Sequence, residues 1–156
     1  MGLENRIVYN LVDVVEGNCR HQQAIIRDKQ CDTLSLLPAA QTRDKSAVSP
    51  EQMIKLINQL KPDYDYIIID TQPTRDSLLL TNAINAADYV LIPSLCEANS
   101  QESAFRTYAL CNELRNTPGS HLKGIGVILT MVVKKAASTK IIRDQCKQVL
   151  LSLIHI

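Results

Sequence analysis

The stretch of sequence that decides the fold is Asp65-Tyr66-Ile67-Ile68-Ile69-Asp70-Thr71-Gln72-Pro73. Its four large residues, Tyr66–Ile69, predict a strand that is buried in a sheet, and the Asp70 carboxylate follows at the carboxyl end of that strand. In open α/β sheets this end borders the ligand crevice. A carboxylate there can hold the water shell of Mg²⁺ beside a nucleotide phosphate. The alternative is that Asp70 only caps the strand and begins a turn.

Short apolar runs and helical periods alternate on both sides of this stretch. The other predicted strands are Leu34–Leu37, Tyr89–Ile92 and Ile125–Leu129. The clearest helix begins at Ser49, because Ser49, Pro50 and Gln52 form an N-cap, a first-turn proline and a capping-box partner. The apolar faces of the four predicted helices are Met53, Leu56, Ile57 and Leu60; Leu79, Leu80, Ala83, Ile84 and Ala87; Phe105, Tyr108 and Cys111 within residues 100–114; and Ile142, Cys146, Val149 and Leu150. The alternation predicts an α/β layered fold with a mostly parallel sheet.

Composition is ordinary for a globular protein and excludes several classes of function. The chain has 156 residues, of which 46% are hydrophobic and 21% charged, and its net charge is +1. No apolar run approaches the roughly 20 residues of a membrane span. The five cysteines are odd in number and form no C-x-x-C pair, so a disulfide framework or zinc site is not expected and a reducing cytoplasm fits best.

Several stretches resemble the MinD/ParA family of deviant-Walker P-loop ATPases. Residues 65–73 look like the Walker B strand and switch II loop of that family, and residues 1–9, 11–19 and 36–45 resemble internal strings of its MinD branch. The resemblance implies a three-layer P-loop NTPase-like fold, incomplete at both ends, that binds ATP and Mg²⁺. Asp70 then falls on the magnesium-associated aspartate, which acts through water, and Thr71 and Pro73 fall in the nucleotide-sensing switch segment.

Residues 65–149 resemble the ParA branch more than the MinD branch. Residues 86–93 look like a ParA strand entry, and Glu97 and Glu102 fall where ParA proteins carry acidic residues, although Glu102 is better explained as the capping-box partner of Asn99. Residues 128–131 resemble the strand end that lines the adenine pocket, where Thr130 and Met131 would contact the base; equally, Thr130 could simply close a strand. The adjacent lysines 134 and 135 are a weak signal for DNA, and a solvated loop is the default interpretation.

Hydrolysis in this family requires a glycine-rich phosphate loop with a lysine. The chain has five glycines, and none forms a G-x-x-x-x-G-K-[ST] run. We therefore expect that loop upstream of Met1, and we predict that the chain as given does not hydrolyse ATP. Residues 1–150 are expected to form a partial nucleotide-binding domain. Residues 151–156 look like read-through of a sequencing adapter, the alternative being a natural helix end.

The resemblance implies a function for the intact protein. A MinD-type ATPase cycles on a membrane surface to place the division septum, and a ParA-type ATPase cycles on non-specific DNA to partition it. Either would act as a homodimer with an activating partner protein, in the cytoplasm or peripheral to the inner face of the membrane. Three other hypotheses stay open: a chimera of the two branches, a non-catalytic truncated binding module, and an unrelated α/β protein.

Overall fold

A computed structural model of the chain describes residues 6–39, 48–71 and 78–132, together with 141, 144 and 153–154. The chain divides into two compact units. The first comprises Met1–Ile68 with Ser77–Leu79, and the second comprises Ile69–Asp76 with Leu80–Ile156.

In its described residues, the first unit contains three helices and a small hairpin. Helix α1 is Leu11–Val15, α2 is His21–Ala24 and α3 is Pro50–Leu60. Asn10 begins α1 by accepting hydrogen bonds from the amides of Val12 (2.8 Å) and Asp13 (3.4 Å). These side-chain acceptors satisfy amides that have no partner inside the helix, which is why so short a helix forms here.

Helix α3 confirms the predicted start at Ser49. The Ser49 hydroxyl accepts from the Gln52 amide at 3.2 Å, and Gln52 Oε1 accepts from the Ser49 amide at 2.8 Å. The predicted apolar face is also confirmed, since its members are the buried residues of the helix: Met53, Leu56, Ile57 and Leu60.

The predicted strand Leu34–Leu37 is shorter than expected and is not parallel. Strand β2, Ser35–Leu36, pairs antiparallel with β1, Ile26–Arg27. The reversal between them is local, because the Asp28 amide donates to the Leu34 carbonyl at 2.9 Å. A connection this short can join only antiparallel strands, so the apolar run here indicated a hairpin and not a buried parallel strand.

The predicted strand Tyr66–Ile69 does not form. Residues 66–71 have no strand assignment, and the side chains of Tyr66 and Ile68 are 89% and 90% exposed. A strand is stabilised by main-chain bonds to a neighbour, and within the described residues this stretch is paired with none of the strands. Apolar composition alone therefore does not make a strand here, and the stretch stays unpaired with two of its large side chains exposed.

The second unit contains a parallel sheet in the order β3-β4-β5. Strand β3 is Tyr89–Leu95 and β4 is Gly124–Thr130, which confirms the predicted strands Tyr89–Ile92 and Ile125–Leu129. Their register pairs Tyr89 with Gly124 at one end and Leu95 with Thr130 at the other. Strand β5, Leu153–Ile154, pairs with β4 at Val127 and Ile128. The adapter origin of residues 151–156 stays a hypothesis, which a genomic read across codon 150 decides.

Helix α5, Ala98–Arg115, connects β3 to β4 and confirms the helix predicted over residues 100–114. Helix α4, Leu78–Ala86, matches the prediction for residues 79–87. The predicted helix that carries Ile142, Cys146, Val149 and Leu150 falls on residues outside the described ones. The core of the unit is a cluster of buried residues from α4, β3, α5, the loop before β4, and β4: Ile84, Ile92, Ala104, Cys111, Leu122, Ile125, Val127 and Leu129.

Candidate functional site

The carboxyl ends of β3 and β4 carry a cluster of three hydroxyl groups. Ser94 is only 2% exposed, and its hydroxyl lies 3.3 Å from that of Ser100. The Ser100 hydroxyl accepts from the Leu95 amide at 2.8 Å. On the neighbouring strand, the Thr130 hydroxyl donates to the Ser94 carbonyl at 3.3 Å. These bonds connect the ends of two parallel strands with the first turn of α5, at the edge where ligands bind in sheets of this type.

Helix α5 begins two residues earlier than the capping-box interpretation requires. Its N-cap is Glu97, whose side chain makes no capping hydrogen bond. Glu102 forms an ion pair with Arg106 one turn further along the helix, and both side chains are exposed. The interpretation of Asn99 and Glu102 as a capping box is therefore wrong. The reason is that Asn99 lies inside the helix, two residues after the N-cap.

Met131 follows directly after the hydroxyl cluster and has an unusual backbone. Its φ is 52°, the left-handed region, where residues other than glycine are uncommon. Its side chain is 84% exposed. Strained backbone of this kind persists only where the surrounding structure holds it, and it is frequent at ligand sites.

The predicted site residues are only partly brought together. Thr130 and Met131 lie side by side at the end of β4. Asp70 and Thr71 are exposed and lie on the segment without strand pairing, and no described hydrogen bond joins Asp70 to the end of β4. Pro73 lies outside the described residues.

The described residues do not complete a metal site by themselves, and the magnesium role of Asp70 stays a prediction. They contain no group of three or more histidine, cysteine, aspartate or glutamate residues that could hold a metal ion. Asp70 offers one exposed carboxylate, which is compatible with the one or two carboxylates that hold Mg²⁺ together with phosphate oxygens in nucleotide sites.

The opposite, amino ends of β3 and β4 are joined by an ion pair. Lys123 Nζ lies 2.7 Å from Asp88 Oδ1, and the Lys123 amide donates to the Asp88 carbonyl at 2.8 Å. The hydrogen bond to Asp88, with the attraction of its charge, raises the pKa of Lys123. These bonds hold Asp88 and Lys123 side by side just before the two strands. They agree with the register, which pairs Tyr89 with Gly124 at this end and Leu95 with Thr130 at the hydroxyl cluster.

Ser94 and Ser100 are not among the site residues predicted from the sequence. A signal was present, because Ser94 is a polar residue in an otherwise apolar strand and sits where that strand meets the ligand edge. A buried hydroxyl at such a position requires a partner. The partner, Ser100, is five residues away, and only the turn into α5 brings it close.

Comparison with known proteins shows consistent similarity to one group. A family model described as an AAA domain matches residues 2–123. The septum site-determining protein MinD of Bacillus subtilis is 44% identical over 117 residues, which are 74% of this chain and 43% of that protein. The chain thus spans less than half the length of that relative.

Solved structures agree on the fold. The MinC:MinD cell division protein complex of Aquifex aeolicus has a TM-score of 0.68 and 27% identity, and the match covers 94% of this chain and 52% of that one. A plasmid partition protein from Borrelia burgdorferi has a TM-score of 0.71 at 23% identity, and the match covers 97% of this chain and 66% of that one, which shows a shared fold. The predicted P-loop NTPase-like fold is confirmed. In the part of the chain that the structure describes, no helix is long and apolar enough to cross a membrane.

Proposed function

The chain belongs to the MinD/ParA family of P-loop ATPases, and we propose that it is part of a MinD-type ATPase that binds Mg·ATP and cycles on a membrane surface to place the division septum. The observation that carries this proposal is the 44% identity to a septum site-determining protein. An alignment that spans 74% of the chain must run through its middle, including residues beyond Asp65 that resemble the ParA branch. The similarity to MinD is therefore not confined to the first 60 residues, which favours a MinD function over a chimera.

The nucleotide part of the proposal rests on the edge formed by the ends of β3 and β4. Ligands bind at this edge in open α/β sheets, and Thr130 and Met131 lie on it. We propose that the protein binds ATP and Mg²⁺ when it has the full length of its relatives. There, Asp70 would hold the water shell of the metal, and Thr71 and Pro73 would respond to the phosphate.

The partners follow from the same relatives. One similar structure is a complex of MinD with MinC, and we infer that the intact protein forms a homodimer and binds a partner protein of the cell-division machinery. We place it in the cytoplasm, peripheral to the inner face of the membrane.

A ParA-type function is the alternative, favoured by the resemblance of residues 65–149 to that branch. The two proposals differ in the surface on which the ATPase cycles. A third alternative is a non-catalytic binding module, since the 156 residues contain no glycine-rich phosphate loop.

A segment exchange tests these alternatives. The aligned part of Bacillus subtilis MinD is replaced by the corresponding residues of this chain, and septum position is scored in cells that lack their own MinD. The MinD proposal predicts normal septum placement by the hybrid. The matched control is the hybrid with Asp70→Asn, which keeps the size of the side chain and removes its charge, and which we expect to lose ATP hydrolysis by roughly 10²-fold or more, as when other charge-stabilising groups are removed from active sites.

Two outcomes would refute parts of the proposal. A hybrid that is folded and hydrolyses ATP but leaves septa misplaced argues against a MinD function. A hybrid with Asp70→Asn that hydrolyses ATP as fast as the unmodified hybrid argues against the assignment of Asp70.

A further inference from the structure

The imidazole of His21, in the first unit, has one ring nitrogen that is buried without a hydrogen-bond partner among the described residues. We propose that His21 and Asp63 form a proton-dependent contact, in which protonation of the imidazole tightens the attachment of α2 to the turn that follows α3. The proposal is independent of the nucleotide function proposed above.

The buried nitrogen is Nε2, and it faces a carboxylate across a gap. The side chain of His21 is 16% exposed, and Nε2 lies 4.0 Å from Asp63 Oδ2. This distance is too long for a hydrogen bond. Buried polar atoms nearly always have a partner, so the neutral imidazole leaves an unfavourable gap at this position.

Protonation changes what Nε2 can do. A neutral imidazole has one N–H donor and one acceptor nitrogen, whereas the imidazolium donates from both nitrogens. Nε2 of the imidazolium therefore presents an N–H and a positive charge to Asp63, and closure of the gap to about 2.8 Å makes a charge-assisted hydrogen bond. The Asp63 side chain is 60% exposed, so it is free to move towards the ring and water keeps the cost of the buried charge moderate.

The pair connects two elements that are distant in sequence. The Asp63 amide donates to the Leu60 carbonyl at 3.0 Å and so closes the end of α3, where a positive charge is favoured. His21 is the first residue of α2, and its carbonyl accepts from the Ile25 amide at 3.0 Å. Strand β1 begins at the next residue, Ile26. A tighter contact between His21 and Asp63 therefore fixes the start of the hairpin against the end of α3.

Other titratable side chains belong to α1, which packs against α2, and to the residues that flank the pair: Asp13, Glu16, Cys19, Arg20 and Lys61. The two carboxylates attract an imidazolium and the two basic groups repel it, so their effects largely offset one another. The thiol stays neutral at and below neutral pH, because burial, together with the charge of Asp13, raises the pKa of Cys19. Asp63 is thus the group to which the proton dependence is assigned.

Two variants of the full 156-residue chain test the proposal at about pH 5.5 and about pH 7.5, on either side of the ordinary titration of histidine. Asp63→Asn removes the charge and keeps the shape of an exposed side chain, and His21→Gln removes the titrating group. The matched control is His121→Gln, because His121 is an exposed histidine of the second unit. Amide exchange is measured by NMR at Ile25 and Asp63, and each rate is compared with the intrinsic rate at the same pH to give a protection factor.

In wild type we expect both protection factors to be about threefold higher at the lower pH, which is the size of effect that a partly exposed ion pair produces. In Asp63→Asn and His21→Gln they should not depend on pH, whereas His121→Gln should resemble wild type. At the higher pH, Asp63→Asn should match wild type, because the neutral imidazole forms no ion pair. That match also shows that the variant is folded.

Several results would overturn the proposal. Protection in wild type that is unchanged or lower at the lower pH would mean that the cost of burying the charge offsets the ion pair. A rise that persists in Asp63→Asn would assign the effect to another group. An equal rise at Val127, in the core of the second unit, would show a general effect of pH on the chain and not a contact of His21.

Discussion

Substitution of Gly124 by alanine tests the contact between Gly124 and the Tyr89 ring on the neighbouring strand. Gly124 is the register partner of Tyr89, and a Cβ at Gly124 would lie 3.1 Å from Tyr89 Cδ1 and 3.3 Å from Cε1. Ordinary contact begins near 3.4 Å, so the tyrosine ring must move by about 0.3 Å. The ring is free to do so, because Tyr89 is 66% exposed.

Two opposing effects set the magnitude. The backbone of Gly124 is outside the left-handed region, so alanine can adopt it without strain. Alanine also reduces the conformational entropy of the unfolded chain, which stabilises the folded protein by about 0.4–1 kcal/mol. Displacement of the ring loses part of a cross-strand contact, which is worth about 0.2–1 kcal/mol. We therefore expect Gly124→Ala to change the free energy of unfolding by less than about 0.5 kcal/mol in the wild-type background.

In a Tyr89→Ala background the same substitution meets no ring, and it should stabilise the protein by about 0.4–1 kcal/mol. The assay is a double-mutant cycle, with the free energy taken from amide exchange of the β4 strand in wild type, both single variants and the double variant. Equal effects of Gly124→Ala in the two backgrounds, within about 0.3 kcal/mol, would refute the cross-strand contact between Tyr89 and Gly124.

Three further predictions follow from single features. Ser49→Ala should lower the free energy of unfolding by about 1 kcal/mol, since it leaves the Gln52 amide without its capping acceptor. Urea denaturation measures the change, and an unchanged free energy of unfolding would contradict the capping role of Ser49. Because burial raises the pKa of the fully buried Cys111 thiol from 9.0 to about 11, its contribution to stability is complete below pH 9 and is lost as pH rises towards 11. A thiol reagent at pH 8 should accordingly label the exposed Cys31 much faster than Cys111, and comparable rates would refute this burial. Finally, the purified 156-residue chain should show no Mg·ATP turnover above a blank, because no phosphate loop stabilises the transferring phosphoryl group; measurable turnover would overturn that expectation.

Much of the second unit could be predicted from local sequence. The runs that contain Ile92 and Val127 are apolar, which favours strands of a parallel sheet, and the structure pairs them in parallel, although Tyr89 and Leu91 of β3 are exposed. Helix α3 was predictable for a different reason, because Ser49, Pro50 and Gln52 act on one another within a single turn. In each of these cases the signal and the structure it produces lie within a few residues.

The failures have a common physical cause. The stretch around Ile68 has the composition of a buried strand, but strand formation depends on a neighbour that the stretch does not itself contain, and it remains unpaired in the described part of the chain. The run Leu34–Leu37 was expected in a parallel sheet, and the tight reversal at Asp28 makes it antiparallel. Both errors concern which partner a strand finds, and apolar periodicity does not encode that.

The candidate site shows the same division. Residue types and their spacing predicted the family, the strands β3 and β4 that end at the ligand edge, and Asp70, Thr130 and Met131 as candidate site residues. The folded chain adds what residue types do not contain: the Thr130 hydroxyl bonds the Ser94 carbonyl, the Ser100 hydroxyl bonds the Leu95 amide, and Met131 is left-handed. Chemistry at a position is a property of one residue, whereas the availability of a hydrogen-bond donor depends on groups 36 residues away along the chain, and folding alone brings those groups within reach.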